Sequence, residues 1–211
     1  GHHPIVVLLE TKRYRGTAPE TIEKIEQILS ETWSRDRLVT PALVQRDYES
    51  IRAGLEAEGW PTLGETRGRL MAVLHTGGSL RNAYLEASGG TSARLMFPDA
   101  YGNLEADYAA YHSMNNPIDG QAAIQAVVTA GHLVRTRADA DGEESESLDY
   151  TKANAALSSG AHFISTDFPF AATERTYGFL IPDGTPSRCN PISSPDGCIP
   201  TALESEMNLG P

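Results

Sequence analysis

The segment "HLVRTRADAD", residues 132–141, places two arginines one residue apart and an aspartate two residues further on. Side chains alternate along an extended strand, so Arg135, Arg137 and Asp139 would share one face, as would Glu10 and Lys12 in "PIVVLLETK". Two guanidiniums converging beside an acid suit the gripping of a phosphate or carboxylate, because each offers a planar fork of donors. An internal salt-bridge layer of Arg135, Arg137, Asp139, Glu10 and Asp167 would use the same residues, and the pattern alone does not separate the two.

The elements that must carry these residues alternate. The continuous apolar run at 4–12 reads as a strand buried on both faces, as in parallel sheets. Residues 17–33 follow as a helix, opened by Thr, Pro and Glu, with Ile22, Ile25, Ile28 and Leu29 at helical spacing. "TPALVQRDYESIRAGLEAEG", 40–59, reads as a second helix between Thr-Pro and Gly. "RLMAVLH" (69–75), "ARLMF" (93–97), "AAYHSMNNP" (109–117), "HLVRTRAD" and "HFISTDFP" are further strand candidates, with helical stretches at 121–131 and 147–160. Strands alternating with helices imply a parallel α/β architecture, and no glycine-rich phosphate loop follows any strand. A (β/α) barrel fits best, with its chemistry at the carboxyl ends of the strands. Four such ends carry polar groups: "LLETK", "VLHTGG", "VRTRAD" and "ISTDFP".

The 211 residues, 40% of them hydrophobic, are enough for one sizeable core. A net charge of −11 disfavours nucleic acid as a partner, so an anionic ligand must be held by local cations. No apolar stretch approaches a membrane span, and the first residues lack a signal-peptide pattern, so a soluble, already processed chain is expected. The two cysteines, Cys189 and Cys198, lie in a stretch rich in Pro, Gly and Ser and read as a disulfide closing a small loop, hence a secreted or periplasmic protein.

Of the histidines, His132 and His162 stand at strand beginnings and read as structural. His75 ends a strand and lines the mouth, while His112 lies mid-strand before Asn115 and Asn116. No pair of histidines stands at positions that assign an acid and a base. Exposed rims for a membrane surface are sought at 96–102 and 168–180, which are aromatic but not basic.

"PIVVLLETK", "HLVRTRADAD", "SSGAHFISTDFPF" and "FLIPDGTPSRCNPISSPDGC", in that order, resemble the carboxyl-terminal part of the calcium-dependent phosphatidylinositol-specific phospholipase C family. "VRTRAD" and "STDFP" are also similar to glycerophosphodiester phosphodiesterases. The resemblance implies a TIM-type (β/α) barrel of which this chain supplies about the last five strands, over residues 1–172. Residues 173–211 would be a loop-rich tail packed on it. It implies cleavage of phosphatidylinositol to diacylglycerol and a cyclic or hydrolysed inositol phosphate, with Ca2+ as cofactor and a transient membrane surface as partner. Hydrolysis of soluble phosphodiesters, or binding of a phospholigand without turnover, are the alternatives. Glu10 matches a calcium ligand, and Lys12, His75, Arg135, Arg137, Asp139 and Asp167 would bind substrate. The catalytic histidines are expected outside this chain, on an amino-terminal fragment of the same barrel that would also cover its open strand edge.

Overall fold

The computed structural model describes residues 2–87, 89–170, 176–182 and 187–203. They fall into two compact units that divide between Tyr111 and His112.

In the first unit, β1 (Ile5–Leu9), β2 (Leu70–Leu74) and β3 (Met96–Pro98) form a parallel sheet in the order β1-β2-β3. Leu9 pairs with Leu74, and Leu74 with Pro98, so the three strands end level. Met71, Ala72, Val73 and Leu74 are all essentially buried, which is why β2 reads as an unbroken apolar run and not an alternating one.

Helix α1 (Ala18–Thr32) starts where expected. Thr17 accepts from the Glu20 N–H and the Glu20 carboxylate accepts from the Thr17 N–H at 2.9 Å, a reciprocal cap that satisfies two amides no helical carbonyl can reach. Its Ile22 and Leu29 join Ala72, Leu74, Met96 and residues of a later helix, Leu80 and Tyr84, in the core.

The single helix expected over 40–59 is two helices, α2 (Pro41–Gln45) and α3 (Ile51–Glu58). Arg46 takes a positive φ of 52° and ends α2; its guanidinium then donates to the carbonyls of Val44, Gly54 and Gly59. Ser50 caps α3 through the Ala53 N–H at 3.0 Å. Gly54 lets the two helices cross closely, since a Cβ there would lie 2.3 Å from the Val44 carbonyl oxygen. Short α4 (Leu63–Thr66) precedes β2, and α5 (Gly78–Glu86), which brings Leu80 and Tyr84, follows it.

Beyond that division, β4 (Tyr111–Ser113, its first residue still in the first unit), β5 (Leu133–Arg137) and β6 (Phe163–Ser165) form a sheet in the order β4-β5-β6. The last two are parallel, with Arg137 level with Ser165. Helices α6 (Gln121–Thr129) and α8 (Thr151–Ser158) pack against β5, and α7 (Glu143–Ser147) lies between them in sequence. Cys189 and Cys198 form a disulfide with Sγ–Sγ 2.01 Å. The same stretch is pinned to the end of α8 by Asn190 Nδ2 donating to the Gly160 carbonyl at 2.7 Å and by the Arg188 guanidinium on the Leu157 carbonyl. Residues 173–175, 183–186 and 204–211 of the expected tail lie outside the described residues.

The architecture is therefore mixed α/β with parallel strand pairing, as expected. Among the described residues the six strands form two three-stranded sheets and not a closed barrel.

Candidate functional site

The level strand ends of the first unit decide which residues become neighbours. Glu10, His75 and Asp99 are each the first residue beyond their strand, so the register of three paired strands sets them side by side at the carboxyl edge.

Asp99 is fully buried. Its Oδ2 accepts from His75 Nδ1 at 2.7 Å and its Oδ1 accepts the Tyr101 backbone N–H at 2.9 Å. A carboxylate can only accept, so the His75 proton sits on Nδ1 and the basic nitrogen of the neutral ring is Nε2. The His75 side chain is 14% exposed, enough for a ligand to reach an edge of the ring.

Tyr101 adopts a left-handed backbone, φ 49°, which turns its N–H back onto Asp99 and brings the phenol oxygen to 3.4 Å from His75 Nδ1. Burial, then the Asp99 charge, push the Tyr101 phenol up to about 12, with Arg81 opposing and Glu10 adding to the rise. The phenol is thus a neutral hydrogen-bonding group throughout the physiological range.

Glu10 is exposed and bonds to Lys12 Nζ at 2.5 Å, so the two residues expected on one face do meet, as an ion pair. Calcium takes six to eight oxygens. Among the described residues no group of three or more His, Cys, Asp or Glu side chains is placed to hold a metal, and Glu10 offers one carboxylate only. These residues do not by themselves compose a calcium site.

In the second unit Arg135 and Arg137 do share a face of β5, half-exposed between the buried Val134 and Thr136. Arg135 Nη1 donates to Asn115 Oδ1 at 2.6 Å. Asp139 is buried where the two arginines are half-exposed. The strand ends at Arg137, the chain bends, and the Asp139 carboxylate turns inward to 2% exposure. There it accepts from the Thr166 hydroxyl, from the Asp167 N–H at 2.8 Å and from the Tyr177 hydroxyl at 3.5 Å. The alternation rule applies while the backbone is extended, and Asp139 lies two residues beyond the end of β5, after a bend at Ala138. Burial and the Asp139 charge push the Tyr177 phenol up to about 12. Asp167, by contrast, is exposed.

The structural reading of His132 and His162 agrees with their surroundings. His132 is buried with its Nδ1 2.9 Å from Nε2 of the equally buried His112. His162 Nδ1 accepts the Val134 N–H at 3.2 Å, and burial pulls its pKa down to about 4.

Sequence reasoning missed Asp99, Tyr101 and Arg81. "FPDAY" holds the first two, and the signal was an acid immediately after a strand that pairs with the His75 strand.

Three comparisons bear on identity. A family model described as "Phosphoinositide phospholipase C, Ca2+-dependent" matches residues 1–191. A search of curated proteins gave no match. Among solved structures, a Ca2+-dependent phosphatidylinositol-specific phospholipase C enzyme from Streptomyces antibioticus is similar, with TM-score 0.58 and 13% identity over 79% of this chain. This chain covers 65% of that one, just under two thirds of its length. At that identity the likeness speaks for the fold.

Proposed function

The chain belongs to the Ca2+-dependent phosphoinositide phospholipase C family, and from that premise we propose that it is part of a phosphodiesterase that cleaves phosphatidylinositol to diacylglycerol and a cyclic inositol phosphate. The observation that carries the reading is the carboxyl edge of the first sheet, where register alone sets Glu10, His75 and Asp99 side by side. Strand ends of a parallel sheet are where α/β enzymes place their chemistry.

In this reading Lys12 and His75 of the first unit serve as cation and donor toward the substrate, and Arg135 and Arg137 of the second unit, taken by themselves, are suited to a phosphate or inositol hydroxyls. Asp99 fixes the His75 ring. Asp139 acts from behind, holding the loop that presents Asp167. Glu10 contributes one carboxylate to bound calcium, an ion that would lend electrostatic stabilisation to charge on the phosphate. The reading also takes the fold as a (β/α) barrel to which residues 1–172 give about the last five strands and 173–211 a packed tail. The amino-terminal part would supply the acid and base. The disulfide supports a secreted or periplasmic location.

The test is 31P NMR of the full-length protein with phosphatidylinositol in mixed micelles, with calcium and with chelator. A calcium-dependent cyclic phosphodiester signal is expected. A phosphomonoester formed with no cyclic intermediate would favour direct water attack, as in glycerophosphodiester phosphodiesterases. No product with either soluble or micellar substrate would leave a phospholigand-binding protein.

A further inference from the structure

The chain carries a net charge of −11, yet Lys12, Arg13 and Arg15 fall within four residues around Tyr14. All four are exposed, and they form the loop that leaves β1 beside Glu10. Lys12 is held by Glu10, whereas no ion pair of Arg13 or Arg15 occurs among the described residues.

The loop is short and tied at both ends. Gly16, at φ 85°, turns the chain into the Thr17 cap of α1, and Tyr14 Oη bonds to Ser79 Oγ of α5 at 2.9 Å. A surface that is ordered beforehand loses less entropy on binding. Tyr14 is 40% exposed and Tyr101, at the same carboxyl edge, is 43% exposed. Tyrosines interleaved with arginine and lysine are the composition of the lipid headgroup level, where the ring is amphipathic and the cation meets phosphate.

We propose that the segment Lys12–Arg15 is the surface by which this protein docks on an anionic lipid bilayer, a proposal that rests on the phosphoinositide reading above. The acidic remainder of the chain is repelled by such a bilayer, so the same charge distribution that draws this loop in also orients the molecule loop-first. The carboxyl edge with His75 then faces the lipid phosphates. Two regions that the sequence offers as aromatic rims are less suited. In 96–102 Met96 and Phe97 are buried in the core and Tyr101 alone is exposed, while 168–180 exposes Phe170 and Leu180 but has no cation among its described residues to meet an anionic headgroup.

The experiment is sedimentation of the full-length protein with vesicles of phosphatidylcholine alone and of phosphatidylcholine with phosphatidylserine, at low and high salt. Arg13→Glu/Arg15→Glu is compared with wild type, and hydrolysis of soluble glycerophosphoinositol is measured alongside. Wild type is expected to bind only the anionic vesicles and to release in salt. The double variant should bind about tenfold or more weakly, since each basic residue near such a surface contributes roughly one power of ten or a little less. Its turnover of soluble substrate should be unchanged. Wild-type binding that ignores salt or vesicle charge, or a double variant that binds as wild type does, overturns the proposal. Absence of turnover by wild type on every substrate overturns the enzymatic reading, and the sedimentation result still stands by itself.

Discussion

The imidazole of His75 and the carboxylate of Asp99 meet at 2.7 Å across the ends of two neighbouring parallel strands, with the acid fully buried and the ring partly open. The pair exists because Leu74 and Pro98 are in register, each placing its successor at the same edge.

Asp99→Asn tests what the carboxylate does. The amide keeps the volume but cannot accept from both the Tyr101 N–H and the His75 Nδ1–H. A loss of about 1–3 kcal/mol is expected in urea unfolding, typical of a buried polar group left unsatisfied. In 15N spectra the His75 ring should shift away from its fixed Nδ1–H tautomer.

Asp139→Ala should be costly while Arg137→Ala is not. The first removes the acceptor of three donors inside the protein and is expected to lower stability by about 2–4 kcal/mol. The second removes a half-exposed side chain and should stay within about 0.5–1 kcal/mol. If the arginines grip phosphate, only the second variant loses turnover while keeping its melting temperature.

Acid should weaken the second unit through His162. Its pKa is about 4 when folded against an unfolded value near 6.5, so the unfolded chain binds more protons between those two values. The stability from this group is complete above about pH 6.5 and is lost as pH falls toward 4, by roughly 3 kcal/mol. His162→Gln, which can still accept the Val134 N–H, should flatten that part of the pH profile of the denaturation midpoint.

Reducing the Cys189–Cys198 disulfide should lower stability by about 2–3 kcal/mol, the chain-entropy value for so short a loop. Comparing urea midpoints with and without reductant, alongside a Cys189→Ser/Cys198→Ser variant, checks it.

If Glu10 gives a carboxylate to bound calcium, as proposed, Glu10→Gln should raise the calcium concentration needed for half-maximal activity about tenfold or more. A ligand-quality carboxylate is exchanged for an amide while the fold is untouched, since the side chain is exposed.

The strands were legible because burial on both faces leaves an unmistakable run such as Ile5–Leu9, and α1 because Thr17 and Glu20 are a cap written in the sequence. Residues 40–59 were not, because the break lies in a φ angle at Arg46 and in the crossing allowed by Gly54, neither of which alters the apolar spacing. Arg135 and Arg137 followed from period-two alternation within a strand. Asp139 lies beyond the end of that strand, where the rule gives no placement, and Asp99 was invisible as a partner of His75 until strand pairing brought positions 24 apart together.

The level ending of β1, β2 and β3 also constrains how this sequence can change over generations. Substitutions at the edge can be sampled one at a time, but a single-residue insertion or deletion inside β1 would slide every following side chain to the opposite face of the sheet. It would carry Glu10 away from its neighbours and turn apolar side chains toward solvent in one step. Length in these strands is therefore expected to be inherited more strictly than residue identity, with tolerated insertions gathering in the turn at Gly89–Gly90 and not within the five residues before Glu10.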